Sequence, residues 1–297
     1  MIDWHSYNRL LVRRGEILFS YDFLDIWDSE IERMNENKKG KPYSFPDSFI
    51  LVIGYMRIYF RLPYRQTEGI IKATGKNLPD HPNYSQICRR VNKLDISTKR
   101  SSDDEDDKDI IIAIDSTGIK VTNRGQWMQQ EKWNVKKKGY LKIHVAVDVN
   151  TKEILALEVT DEKVHDGKVM QKLIEHVLKR NDDDIKIKST LGDGSYDSNE
   201  NFKYLQKKRI RPAIKVRRNS IISSKNNSLR NKEVHCQLKD LLKWKKTRKY
   251  GSRWVAETVF SSIKRTYGEY VSAIKHQNMI KEMILKVSLY NLFRKMA

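Results

Sequence analysis

Apolar residues recur at helical spacing through the first hundred positions and alternate with polar ones after that. Between Tyr7 and Met34, the residues Ile17, Phe19, Phe23, Leu24, Trp27, Ile31 and Met34 are interleaved with charge, which predicts mostly helix. The polar run from Asn35 to Pro42 breaks it. A second helix is predicted after Pro46, capped by Asp47 or Ser48 and running from Phe49 to Phe60; it is apolar on nearly all sides and therefore buried. Leu62-Pro63 restarts the chain into a third helix ending near Gly75. A fourth, Ser85 to Leu94, sets Ile87, Val91 and Leu94 on one side and Arg89, Arg90 and Lys93 on the other. Short helices ending in a basic one suit a helix-turn-helix, and equally a plain bundle with an exposed basic helix.

Past residue 109 the period changes to that of strands. Ile110 to Asp115 is followed by a hairpin return through Gly118 to Val121, then by Leu141 to Val149 and Glu153 to Val159. Lys142, His144 and Glu158 alternate with apolar residues, as on the wet face of an antiparallel sheet. A helix through Val169, Leu173, Ile174, Val177 and Leu178 is expected to be capped by Asp166, with His165 a cleft neighbour. A strand ending at Asp193, a helix from Ser198 to Lys207 and a strand from Pro212 to Val216 come next. That order predicts an α/β fold of the ribonuclease-H-like kind: a mixed five-stranded sheet with flanking helices, preceded by a small all-helical region.

The segment Tyr250 to Lys264 carries the chemistry. Ser252 is a plausible N-cap, and Val255, Val259 and Ile263 recur every four residues, giving one buried face. Arg253, Glu257 and Lys264 fall within roughly 40° of one another on the opposite side. Alone, that stripe reads as a solvated face with an Arg–Glu pair. Asp115 and Asp193, each closing a predicted strand, change its meaning by supplying two more carboxylates. Asp148, Asp161 and Asp197 are further acidic candidates and rank below these three.

Charge adds a partner. The 58 Lys and Arg against 38 Asp and Glu leave a net charge of +20, which calls for a polyanion. Between Lys203 and Arg253 there are 18 basic residues against Glu233 and Asp240 alone, a local +16. The polar stretch at about 217–236 reads as an exposed basic loop, and Ser101 to Asp109 as an acidic linker. Lys136, Lys137, Lys138, Lys142 and His144 form a second basic patch suited to phosphate. Cys88 and Cys236 stand far apart without metal-ligand spacing. No segment has the roughly eighteen apolar residues of a membrane span. A cytoplasmic, nucleoid-associated protein is the expectation.

Tyr250, Arg253, Glu257 and Lys264 meet without a gap the Tyr-x2-Arg-x3-Glu-x6-Lys signature of bacterial and archaeal insertion-sequence transposases, and the chain resembles that DDE-type family. Asp115 in Ile-Asp-Ser-Thr and Asp193 in Gly-Asp-Gly match the two family aspartates in order. The resemblance implies a catalytic domain over 110–297, a DNA-end-binding region over 1–100, and Asp115, Asp193 and Glu257 as catalytic residues. These three would hold two Mg²⁺ ions, or Mn²⁺, because hard cations prefer oxygen ligands. It further implies double-stranded DNA as partner, both element ends and target, and a homodimer in the synaptic complex. Tyr250, Arg253 and Lys264 would contact DNA near the cut phosphate, with Lys138, Lys142, Arg89, Arg90 and Lys93 as further DNA contacts. Trp254 is expected in the core, stacking on a flipped base being the lesser alternative. The last helix, about Asn278 to Met296, is expected against the catalytic sheet.

Overall fold

A computed structural model describes residues 3–74, 78–96, 109–121, 140–180, 185–222 and 228–296. The chain forms two compact units. One comprises Met1–Ser97, Arg265–Gly268 and Ala273–Ala297; the other comprises Thr98–Lys264 and Glu269–Ser272. The expected acidic linker, Asp109 apart, lies outside the described residues.

The first unit is helical: α1 Trp4–Leu18, α2 Trp27–Asn35, α3 Asp47–Phe60, α4 Tyr64–Thr74, α5 Tyr84–Val91 and α11 His276–Lys295. Phe23, Trp27, Phe45 and Phe49 build an aromatic cluster at its core, with Phe23 and Phe49 centroids 4.8 Å apart. Neither Asp47 nor Ser48 caps α3 by its own side chain; Pro46 holds the N-cap position, and the buried Glu30 of α2 accepts from both the backbone and the hydroxyl of Ser48. The cap thus comes from another helix, which sequence spacing cannot see. α5 carries a complete capping box: Asn83 accepts from the Gln86 N–H and Gln86 accepts from the Asn83 N–H, each at 2.9 Å. Asn83→Ala is expected to cost about 1 kcal/mol, read as a lower midpoint in denaturant or heat; an unmoved midpoint would count against the box.

The final helix corrects an expectation. α11 packs on α3 and belongs to the helical unit, not to the sheet. Gly54 makes room for it, since a Cβ there would lie 3.2 Å from Leu285 Cδ2, and Tyr55 and Ser288 share a hydrogen bond of 2.7 Å.

The second unit is a mixed sheet with strands in the order β3-β2-β1-β4-β5, where β6 (Tyr270–Val271) pairs with β1. The strands are β1 Asp109–Val121, β2 Tyr140–Asp148, β3 Ile154–Asp161, β4 Lys186–Gly192 and β5 Arg211–Ile214. β1, β2 and β3 are antiparallel neighbours, whereas β4 and β5 run parallel to β1. α6 (Met170–Arg180) and α7 (Asn199–Lys207) supply the crossovers, and Leu173, Ile174, Phe202 and Leu205 bury against Ile112, Ile114 and Leu155. The arrangement is the ribonuclease-H-like one expected, with a short sixth strand added.

Two predicted features differ. No hairpin follows Asp115: β1 runs on through Gly118 to Val121, still paired with β2 as far as Lys120 opposite Tyr140. The presumed basic loop is in part a helix, α8 Leu229–Lys239, which buries Glu233, Val234 and Gln237; residues 223–227 lie outside the described set. Gln237 clamps this helix to the end of β5 by bonding both Val216 N–H and Ile214 C=O, at 3.0 and 2.9 Å. Behind it come α9 Leu241–Thr247 and α10 Trp254–Tyr267.

Candidate active site

Asp115 lies within β1, at the point where the parallel ladder to β4 stops. The last pair of that ladder is Ala113 with Leu191, while pairing to β2 continues past Asp115 opposite Val145. The β4 edge of β1 is therefore unpaired beside Asp115. Its Oδ1 accepts from the Ser116 N–H at 2.9 Å. Burial pushes its carboxyl above the usual range; the Ser116 N–H and Arg253 pull it down, and the charges of Asp193 and Glu257 push it up. Both other predicted acids thus act on Asp115.

Asp193 follows β4 directly and caps the turn Gly194–Tyr196, accepting from the backbone and hydroxyl of Ser195. Glu257 stands in the first turn of α10 and is exposed. Ser252 is not the N-cap of that helix; a tight turn, Tyr250–Arg253, leads into it instead. Arg253 spans two of the carboxylates, with Nη1 3.3 Å from Asp115 Oδ2 and Nη2 bonded to Glu257 Oε1. Lys264, two turns on, donates to Thr117 Oγ1 at 2.7 Å. The stripe read from the sequence therefore faces the stretch of β1 that carries Asp115.

A divalent cation fits this donor set in kind, because all three acids offer hard oxygen ligands and Asp115 is half-buried among like charges. The ligands are not closed around a common point, however. Among the described residues no three His, Cys, Asp or Glu side chains are arranged to hold a metal ion, and Arg253 supplies the positive charge between Asp115 and Glu257.

The remaining candidates divide. Tyr250 is half-buried against Trp244, with ring centroids 5.1 Å apart, and burial pushes its phenol up. Trp254 is not in the core; its indole is 54% exposed, with Lys152 6.0 Å from the ring centroid. Arg89 and Lys93 are exposed, but Arg90 is taken by Asp47 at 2.6 Å and by the face of Tyr43. Lys136, Lys137 and Lys138 lie outside the described residues. The wet strand is not wet: His144 is fully buried, and Lys142 pairs with Asp166 at 2.6 Å. Asp148 and Asp197 are buried, the first bonded to the Asn150 N–H and the second to Arg230, while Asp161 is exposed at the end of β3.

Asp166 is the residue that sequence reasoning misjudged. His165, not Asp166, caps the turn Asp166–Lys168. Asp166 Oδ1 instead accepts from Ser116 Oγ at 2.9 Å and pairs with Lys142 Nζ at 2.6 Å, with His144 Nδ1 3.5 Å away. Burial alone would raise its carboxyl, but the bonds from Lys142 and Ser116 outweigh it and hold it low. The adjacent His-Asp pair was the available signal. Tyr196, also missed, is buried, and its hydroxyl has no hydrogen-bond partner among the described residues; burial pushes its phenol far up, and Asp166, Asp115 and Asp193 add to the shift.

Burial pushes His144 down from 6.5 to about 4, with Asp166 pulling it up and Lys142 down. The folded state holds this ring neutral, and the unfolded chain protonates it below pH 6.5. Its contribution to stability is thus complete above that pH and is lost as the pH falls toward about 4. Asp166, held low, gives up its own contribution only at more acid pH. Thermal unfolding at pH 7 and pH 5 should show the loss in the parent, and a shallower one in His144→Gln.

The fold is an α/β domain with Asp115 on β1, Asp193 directly after β4 and Glu257 on a late helix, Arg253 being bonded to the first and the third. A profile described as "Transposase DDE domain" matches residues 106–292, and a second of the same description matches residues 12–124. The chain belongs to the DDE transposase family, whose members generally use divalent metal ions. Similar solved structures include the Drosophila P element transposase strand transfer complex, 12% identical, covering 91% of this chain and 69% of that one at a TM-score of 0.35. Another is the Mos1 transposase paired-end complex with left transposon end, 11% identical, covering 78% and 82% at a TM-score of 0.27. No helix among the described residues is long and apolar enough to cross a membrane.

Proposed function

We propose that this transposase binds the terminal inverted repeats of its own mobile element, cuts there and joins the 3′ ends to target DNA. Asp115, Asp193 and Glu257 are the catalytic residues in this reading. The observation that carries it is Arg253 bonded to both Asp115 and Glu257, with Asp193 and Glu257 raising the carboxyl of Asp115. They would hold two Mg²⁺ or Mn²⁺ ions, which supply an activated water or 3′ hydroxyl and charge stabilisation at the departing oxygen.

The protein's own part is positioning. Ser116 fixes one oxygen of Asp115, and Ser195 fixes one of Asp193. Arg253 has the planar fork that suits a phosphate, so DNA bound at the site competes for it and frees the carboxylates it now spans. Lys264 adds a point charge beside β1. The exposed indole of Trp254 offers a base a stacking surface at the mouth of the same helix. Arg89 and Lys93 are open to the DNA backbone, unlike Arg90 and Lys142, which are engaged within the protein. A homodimer holding two element ends is the assembly this chemistry calls for.

The test is a labelled duplex bearing the terminal repeat found beside the gene, incubated with protein, Mg²⁺ and target DNA. Cut ends covalently joined to target are the expected product. Cutting without joining would reduce the reading to a nuclease, and binding without either would reduce it to a DNA-binding relative.

A further inference from the structure

We propose that Asp166 is the positioning residue that locks the two aspartate-bearing segments of the site together. The inference rests on the reading of Asp115 and Asp193 as catalytic. Asp166 reaches the first of them through Ser116, whose hydroxyl donates to Asp166 Oδ1 at 2.9 Å while its N–H donates to Asp115 Oδ1 at 2.9 Å. The residue after it reaches the second. A Cβ on Gly167 would lie 3.0 Å from Ser195 C=O, so the turn carrying Asp166 presses against the turn that Asp193 caps. The buried amide of Asn201 ties these turns by donating to Gly167 C=O at 2.9 Å and to Tyr196 C=O at 3.0 Å.

Asp166 is anchored in its turn from the sheet. Lys142 on β2 pairs with it at 2.6 Å and also donates to Val164 C=O at 3.3 Å; the buried His144 lies beyond, bonded to Thr160 Oγ1 at 2.9 Å. An acid whose one oxygen accepts from Ser116 and pairs with Lys142 is a brace between strands, not a free ligand. Nothing else in the described structure joins Ser116 to the turn at 165–168 by side-chain hydrogen bonding. Because a ligand set is useful only when its members are held at fixed separation, a residue that sets this separation acts on the reaction without touching it.

The test compares Asp166→Ala, Asp166→Asn, Ser116→Ala and Asp115→Asn on the full chain. Three quantities are read: the rate of Mg²⁺-dependent cutting of the terminal-repeat duplex, Mn²⁺ binding by electron paramagnetic resonance with that duplex bound, and duplex affinity by mobility shift. Asp166→Ala is expected to lower both the cutting rate and the Mn²⁺ affinity by about 10- to 100-fold, the usual size for a partner that orients metal ligands, with duplex affinity unchanged. Asp166→Asn keeps an acceptor for Ser116 and recovers part of the loss. Ser116→Ala severs only the link to Asp115, and it reproduces the loss in a protein that unfolds at the parental temperature, which separates positioning from folding even should Asp166→Ala fail to fold. If Ser116→Ala and any folded Asp166 variant cut and bind Mn²⁺ like the parent while Asp115→Asn is inert, the brace is refuted and the proposed function stands. If the parent itself neither cuts nor binds Mn²⁺, the function falls and the brace with it.

Discussion

Asp115→Asn is expected to lose metal-dependent cutting by about 10³-fold or more, because a neutral amide removes one carboxylate's worth of ligand charge and several kcal/mol of transition-state stabilisation. The same change should not harm the fold. The amide oxygen can still accept from Ser116 N–H, and the parental carboxylate is held half-buried beside Asp193 and Glu257. Its folded carboxyl is pushed up, mainly by burial, so near neutral pH its charge is a destabilising feature that the Asn variant lacks. The variant should therefore unfold at the parental temperature or slightly above it, an exchange of stability for activity that is common at reactive sites. The parent, but not the variant, should recover this difference as the pH is lowered through the raised carboxyl value. Initial cutting rates and thermal unfolding on the same preparations decide the matter: an Asn variant that cuts like the parent removes Asp115 from the chemistry.

What the sequence made legible was whatever local pattern controls. The apolar run before Asp115 and the alternation before Asp193 set their strands, and the four-residue spacing of Val255, Val259 and Ile263 set the helix carrying Glu257; Asp115 stands on β1, Glu257 on α10, and Asp193 directly past the end of β4. The errors arose where a distant partner decides. Lys142 and His144 alternate like wet-face residues, yet Asp166 and Thr160 cover them, so polar residues fill an inner position once their bonds are met. Asp115 read as a strand end because Gly118 looks like a turn, yet β2 pairs with the chain on both sides of it. The stretch after Arg217 read as loop because its apolar period is weak, whereas α8 is held by polar contacts: Gln237 on β5, and Glu233 on Trp244 and Arg248. Trp254 went the other way. Its size predicted the core, but it begins α10 on the open side, next to Arg253.

Arg230→Ala should be among the most destabilising single changes in the sheet unit. Asp197 lies four residues after Asp193 with its side chain fully covered, and Arg230 meets it with two parallel bonds, Nε to Oδ1 at 2.6 Å and Nη2 to Oδ2 at 2.8 Å. Arg217 N–H adds a third, at 3.0 Å. Forming such a pair gains little, since desolvation offsets attraction, but removing one partner leaves a buried charge uncompensated at about 3–5 kcal/mol. At roughly 2–4 °C per kcal/mol for a unit of this size, the midpoint should fall by about 10 °C. Arg230→Lys keeps the charge and loses the fork, so it should fall between the parent and the Ala variant. The double variant Asp197→Ala, Arg230→Ala should be less destabilised than the two single losses added together, because the orphaned charge goes with its partner. The pair also joins α8 to the turn that follows Asp193, so cutting should slow in Arg230→Ala even at temperatures where the variant is fully folded. An unchanged midpoint and rate would show that the other bonds to Asp197, from Arg217 N–H and Ser220 Oγ, suffice.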